Sequence, residues 1–449
     1  MPEQPTPVDL LVRGGTVVTV DADDRVLDGD VAVRDGRIVA IGPSLAVEAT
    51  TVLDARDAAV IPGLVNAHMH ETLDRGVFED LPFTTWLYDF ALPKDRAYEP
   101  WHMHAAALLN QAEMLLGGTT ACIDIFRHPH QAAEVALRSG MRITFSPQVV
   151  DDPAGPGESL ETNVAFIEAW RDRSPRIRTW FGPHGLYSCL PATYERMREL
   201  AGVYGVGIHT HLAESADETT VIAERTGGLT PTQYLDRLIG LGPDVLAAHC
   251  VELTEGDREL LTERRVGIAH NPTSNAKLGN GIAPVVELLA AGALVGLGTD
   301  SNMTNNNLDM FEEMRMAALC QKQAHRDPAV LPSADVLRMA TMGSAAALGL
   351  AGEIGSIEVG KAADLAVVDL RRAHARPLIR RARTNVVEHL VWSCSAADVR
   401  HTIVGGDVLV EDGRLTTLDL DEAIDAADSA AVHLLEAAGV LEARFGGHA

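Results

Sequence analysis

Between about residues 60 and 300 the chain repeats one pattern: a short apolar run that ends on polar residues, then an amphipathic stretch. The runs are IPGLVNAH, TTACIDIF, RITFSPQVV, IRTWFGPHG, VGIHTHL, VLAAHCVEL, VGIAHNP and ALVGLGTD. The stretches between them include HAAALLNQAEMLL, TNVAFIEAWRDR, ATYERMRELAGVY and LTEGDRELLTERR. Strand-length runs alternating with helices of this kind predict βα units and a parallel sheet. About eight such units are what an α/β fold of the (β/α)8 TIM barrel type requires.

The two ends of the chain have another texture. LLVRGGTVVTV, DVAVRDGRIVAIG and TVLDA near the start are rich in Val and Ile, with Gly and Asp between them. GSIEVGKAADLAVVDL and VRHTIVGGDVLVEDGRL near the end read the same way. Two β-rich ends around a different middle predict one small β-sandwich formed from both chain ends, which usually lie close together. The expected units are residues 1–59 (first part of the sandwich), 60–352 (barrel), 353–418 (second part of the sandwich) and 419–449 (a helical extension, DEAIDAADSAAVHLLEAAGVLEARF).

The net charge of -26 argues against nucleic acid and anionic membranes as partners. No apolar stretch is long enough for a membrane span, and MPEQPTPVDLLVRGG does not read as a signal peptide. Cys122, Cys189, Cys250, Cys320 and Cys394 are widely spaced, odd in number and free of C-x-x-C, as reduced thiols in a cytosolic enzyme would be. The expectation is a cytoplasmic protein acting on a small-molecule substrate. A homo-oligomer stays open, because nothing in the sequence fixes an interface.

In a barrel the active site lies at the C-terminal ends of the strands. His68 and His70 close the first strand, where alternate residues share a face, so both imidazoles can aim at one ion. His209, His211 and Glu214 close the fifth strand, His249 the sixth and Asp300 the eighth. Three imidazoles and a carboxylate suit Zn2+ or Fe2+, which would lower the pKa of a bound water towards neutrality. A His-x-His alone is weak evidence, since it recurs at His102/His104, His128/His130 and His209/His211. The signal is the joint occurrence of polar strand ends in barrel order. His102 and His104 open a helix, where i and i+2 do not face each other, and read as surface. His128 and His130 flank Pro129 after the second strand and read as loop structure ahead of substrate contact.

The segments PGLVNAHMH, HTHLAES, LAAHCVELT, IAHNPTSNAKLGNGIAPV and GLGTDSNMTNNNLDMFEEMRMAALCQK resemble the signature blocks of the amidohydrolase superfamily. They most resemble the branch of S-adenosylhomocysteine and methylthioadenosine deaminases and s-triazine hydrolases, over nearly the whole chain. The resemblance implies one divalent metal per chain, zinc ahead of iron, held by His68, His70, His211 and Asp300, with His209 a layer deeper. It implies three catalytic residues. Glu214 would protonate a ring nitrogen, His249 would orient the water and stabilise the new C–O bond, and Asp300 would pass a proton to the departing amine. It also places His184 and Thr304 in the substrate pocket. Two-metal relatives bridge their ions with a carboxylated Lys on strand 4, and residues 174–190 contain no Lys, which favours a single ion.

The implied activity is hydrolytic deamination of an aminated N-heterocycle, purine- or nucleoside-like, by attack of metal-bound hydroxide. The alternative is another bond: the chloro or amino group of an s-triazine, or a cyclic amide. Arg75 stands close behind His70, and Lys94 falls where the nucleoside deaminases tend to carry a ribose-binding Glu. Both departures lie in a substrate-contacting loop and point away from an ordinary adenosine. Arg75 and Trp86 are the remaining substrate-binding candidates, although Trp86 and Tyr88 in WLYDF read equally as a packed helix face.

Overall fold

The computed structural model describes residues 7–81, 85–151, 158–381 and 383–446, without the side chains of residues 86–88. The N-terminal strands are β1 (Val8–Val18), β2 (Val26–Arg34), β3 (Arg37–Gly42), β4 (Ala49–Asp54) and β5 (Ala58–Pro62). Then follow β6 (Leu64–Met69), β7 (Thr119–Asp124), β8 (Arg142–Phe145), β9 (Gln148–Val149), β10 (Ile177–Thr179) and β11 (Gly182–Pro183). The next four are β12 (Ile208–Leu212), β13 (Val245–His249), β14 (Gly267–His270) and β15 (Leu294–Leu297). The last are β16 (Leu365–Asp369), β17 (Val399–Val404), β18 (Asp407–Glu411) and β19 (Arg414–Leu415).

Strands from both chain ends share one nine-stranded sheet in the order β19-β18-β17-β16-β5-β1-β2-β3, with β4 on β1. The seam between the ends is the antiparallel pair β5–β16, from Leu365 opposite Pro62 to Asp369 opposite Ala58. Leu10, Val12, Val31, Leu53, Val60, Leu365, Val367 and Ile403 make the apolar face of this sheet. Period-2 alternation sends these side chains to one side.

The eight expected runs form β6, β7, β8 with β9, β10 with β11, and β12 to β15. They lie in two parallel four-stranded sheets, β10-β8-β7-β6 and β12-β13-β14-β15, and a parallel pair, β11-β9. Every position of β6 and β7 is buried, as strands covered on both faces require. A parallel bridge between Phe181 and Ile208 joins the sheets on one side. On the other, the Asp300 N–H donates to the His68 carbonyl at 3.0 Å. That approach needs a glycine beside it. A Cβ on Gly298 would fall 2.4 Å from Asn271 Oδ1 and 2.8 Å from the His68 backbone.

Helices fill the connections and begin and end where local chemistry dictates. Proline opens Pro100–Leu116, Pro129–Ser139, Pro191–Tyr204 and Pro231–Ile239 at the first turn, where its missing N–H costs nothing. Ser215, Thr230 and Thr254 cap helices with side-chain oxygens. The C-terminal helix Leu420–Ala437 lies along Pro100–Leu116 and is tied to Pro129–Ser139 by the Arg138–Glu422 ion pair.

That packing corrects the surface reading of His102. His104 is exposed, but His102 is buried. Its Nδ1 accepts the Glu99 N–H at 2.9 Å, and its Nε2 lies 2.9 Å from Nδ1 of His433 on the C-terminal helix. A partner 331 positions away leaves no trace in local periodicity.

Candidate active site

His68 and His70 lie at the end of β6, His211 on β12 and His249 at the end of β13, with Asp300 just beyond β15. All five are buried. His249 and Asp300 hold positive φ angles of 75° and 61°, a left-handed backbone state uncommon for non-glycine residues. His68, His70 and His211 form one group of converging ligand atoms, and His68, His249 and Asp300 form a second.

Hydrogen bonds fix which nitrogens carry protons. The Ser146 hydroxyl donates to the Asp124 carbonyl at 2.9 Å. Its oxygen therefore accepts from Nδ1–H of His209, also at 2.9 Å. This leaves His209 Nε2 as an acceptor for Nδ1–H of His68 at 2.9 Å. His68 Nε2 is then a bare lone pair, buried and without a hydrogen-bond partner. It faces Asp300 Oδ1 at 3.5 Å. His211 Nδ1 donates to the His184 carbonyl at 2.6 Å, so its Nε2 is likewise a lone pair, 3.2 Å from His70 Nε2. His70 Nε2 is 3.3 Å from the same Asp300 oxygen.

Acceptors gathered this closely in a buried site repel one another unless a cation lies among them. The donor set of three imidazoles and a carboxylate is one that a divalent transition ion takes. His68, His70, His211 and Asp300 therefore fit a metal. Burial pushes the His68 imidazole down to about 3, which keeps it neutral as a ligand must be.

Glu214 and His249 stand beside this cluster. His249 Nε2 is 4.0 Å from Glu214 Oε2 and 3.9 Å from Asp300 Oδ2. Burial pushes the His249 imidazole down, but these two carboxylates and Asn275 together raise it above its ordinary value. The supports come from one stretch that sequence reasoning read as a block without assigning roles. Ser274 donates to Asp300 Oδ2 at 2.6 Å, Asn275 Oδ1 accepts from His249 Nδ1 at 2.8 Å, and Asn280 donates to Glu214 Oε1 at 3.0 Å. Beneath Glu214, the Glu218 carboxylate accepts the Glu214 N–H at 2.8 Å. Polar residues after strand β14 were the available signal.

The structure places the substrate-binding candidates less uniformly. His184 lies beside the cluster, its ring 4.6 Å from that of His211 and its Nδ1 2.8 Å from Ser188 Oγ. Thr304 is buried, and its hydroxyl turns back to the Ser301 carbonyl. Arg75 pairs with Glu113 on the helix Pro100–Leu116. The side chains of Trp86 and Tyr88 lie outside the described residues. Lys94 is fully buried, 2.6 Å from Asp74 and 2.7 Å from Asp95. His128 braces Glu158 and the Tyr98 carbonyl, and His130 accepts the Trp170 indole N–H. Both therefore have structural partners.

The chain belongs to the amidohydrolase family, whose model matches residues 59–409. It is 42 % identical over 429 residues to the 5-methylthioadenosine/S-adenosylhomocysteine deaminase of Syntrophobacter fumaroxidans, covering 93 % of this chain and 96 % of the relative. It is 39 % identical over 433 residues to the 5'-deoxyadenosine deaminase of Methanosarcina barkeri, covering 95 % of this chain and 98 % of the relative. Among solved structures it is similar to an adenosine deaminase from Xanthomonas campestris with bound zinc. That match has a TM-score of 0.91 and 34 % identity, over 96 % of this chain and 100 % of the other. It is also similar to atrazine chlorohydrolase TrzN from Arthrobacter aurescens, at a TM-score of 0.85 and 26 % identity, over 94 % of this chain and 99 % of the other. No helix among the described residues is long and apolar enough to cross a membrane.

Proposed function

We propose that this chain is a metal-dependent hydrolytic deaminase of adenosine derivatives, releasing ammonia from the amino-bearing carbon of the purine ring. The observation that carries the reading is the convergence of Glu214 and Asp300 within 4.0 Å of one nitrogen of His249, beside acceptors that fit a cation. The relatives named as deaminases of adenosine derivatives support it.

His68, His70, His211 and Asp300 would hold the ion, zinc ahead of iron, in line with the zinc bound by the similar Xanthomonas deaminase. When bound, the ion supplies Lewis acidity that brings a water's pKa near neutrality. Glu214, its Oε1 fixed by Asn280, presents Oε2 to donate a proton to the ring nitrogen beside the reacting carbon. His249, fixed by Asn275, directs Nε2 at the oxygen that joins that carbon. Asp300 accepts the water's proton on Oδ2 and returns it to the leaving amino group, and the proton of the added hydroxyl goes back to Glu214 as the carbonyl forms. Ser274 keeps that oxygen in place. His184, beside His211, is the ring-contacting candidate, ahead of Thr304 and Arg75, whose polar groups are already engaged.

The architecture behind this reading is a closed (β/α)8 barrel over residues 60–352. A β-sandwich from 1–59 and 353–418 and a helical extension over 419–449 complete it. We place the protein in the cytoplasm, acting on a small molecule without nucleic-acid or membrane partners, and leave self-association to measurement.

The test is ammonia release by the metal-loaded protein from 5'-methylthioadenosine, S-adenosylhomocysteine, 5'-deoxyadenosine and adenosine, with melamine-type triazines alongside. Release from an adenosine derivative supports the reading. Release from triazines alone moves the activity to the other bond class.

A further inference from the structure

A cavity of about 420 Å³ is lined among others by Phe78, Glu79, Leu81, Lys277, Leu278 and Met303, close in sequence to residues that hold the cluster. Its position follows from the chain. Lys277 and Leu278 end the helix Pro272–Leu278, which gives Ser274 to Asp300 and Asn275 to His249. Met303 is three residues beyond Asp300. One helix turn and one loop therefore separate the cavity from the catalytic groups.

The wall formed by residues 77–81 is held from an unexpected direction. Arg444, in the short helix Leu441–Phe445 near the C-terminus, donates to the Val77 carbonyl at 2.8 Å and to the Glu79 carbonyl at 3.1 Å. Its guanidinium sits 5.7 Å over the Phe90 ring. Val77 and Phe78 share an apolar cluster with Leu435 and Val440, against which Leu81, Met303 and Leu441 pack. On the inner side Lys277 meets Glu79 at 2.8 Å and donates to the Met303 carbonyl at 3.0 Å, while Asn306 donates to Glu79 at 2.7 Å. The loop after β6 is thus gripped between the C-terminal segment and the loops after β14 and β15.

We infer that the C-terminal segment is part of the substrate-binding machinery: Arg444 positions residues 77–81 as the outer wall of a subsite for the substituent remote from the amino-bearing ring. This rests on the deaminase reading above. Phe78, Leu81, Leu278 and Met303 suit an apolar or thioether group. Lys277 is already paired with Glu79 at 2.8 Å, and Asp80 adds a second carboxylate to the lining, which disfavours a phosphate. Arg444 is a positioning residue, because it reaches the subsite only through the loop's carbonyls.

The test compares 5'-methylthioadenosine with adenosine on full-length, metal-loaded protein. Arg444→Ala is expected to lower kcat/KM for 5'-methylthioadenosine about tenfold more than for adenosine, through KM, as loss of an apolar subsite does. Arg444→Lys, which keeps one donor, restores part of the difference. An equal loss on both substrates, or no loss on either, overturns the inference. If the wild-type protein deaminates neither, the deaminase reading fails and the clamp is judged by hydrogen exchange. Residues 77–81 then exchange faster in Arg444→Ala while Pro100–Leu116 does not, and unchanged exchange in residues 77–81 overturns it.

Discussion

Nε2 of His209 lies 2.9 Å from Nδ1 of His68, and Ser146 fixes the direction of the proton between them. The fourth His-x-His of the chain thus pairs a metal-fitting residue, His211, with one that sets the tautomer of another, His68. His209→Asn should weaken zinc binding by about 10–100-fold, the usual cost of losing a hydrogen bond behind a ligating imidazole. Competition with a chromogenic chelator measures this. Unchanged affinity would show that His68 needs no such support.

In the proposed reaction Glu214 moves a proton and does not hold the ion. Its Oε1 is tied to Asn280, and one nitrogen of His249 lies within 4.0 Å of both Glu214 and Asp300. Glu214→Gln should keep full metal content and lower turnover by about 100- to 10,000-fold, the range of general acid–base catalysis. Full metal with retained turnover would assign the proton transfer elsewhere.

Lys94, fully buried, balances the buried Asp74 and the partly buried Asp95, with the Tyr98 ring 5.5 Å away. Lys94→Met leaves both carboxylates without that partner and should cost about 3–5 kcal/mol of stability, as breaking a buried ion pair does. Urea unfolding reads the loss. A variant of native stability with a raised KM would instead place Lys94 against the substrate.

The metal-fitting quartet was legible in the sequence because two simple rules meet there. Alternation along a strand puts His68 and His70 on one face, and barrel strands end at the active site, which brings in His209, His211, His249 and Asp300; the choice of His211 over His209 came with the resemblance to the amidohydrolase blocks. The β texture of both ends was legible for a similar reason, since β1 and β16 are runs rich in Val and Leu, whereas β5, which joins the two ends, straddles the expected boundary at residues 59 and 60. Lys94 was not, because its partner Asp74 sits 20 residues back in a loop without periodicity. Neither was the link from His209 to Ser146, which crosses the interior between strands. His102 was misread because its burial depends on a helix at the far end of the chain.

Glu313 is buried beneath the loop that follows Asp300, where Asn305 donates to it at 2.7 Å. Burial pushes its carboxyl up to about 8 despite the hydrogen bonds from Thr273 and Asn305. The folded state therefore keeps a proton that the unfolded chain releases above its ordinary value of 4.5. Stability from this group is complete below that value and declines as pH rises towards 8. Glu313→Gln should flatten the fall in Tm between pH 5 and 8, and an equally steep fall in the variant would exclude this group as its source.

The central claim is tested most directly by measuring bound metal and ammonia release together, with 5'-methylthioadenosine and 5'-deoxyadenosine as substrates. The account predicts about one divalent ion per chain, as the single donor set of three imidazoles and one carboxylate requires. It predicts ammonia in step with loss of the amino group, abolished by chelation and restored by zinc. Asp300→Asn should lose both metal and activity. Ammonia release that persists after complete metal removal, or a fully metal-loaded protein that releases none from any adenosine derivative, would contradict it.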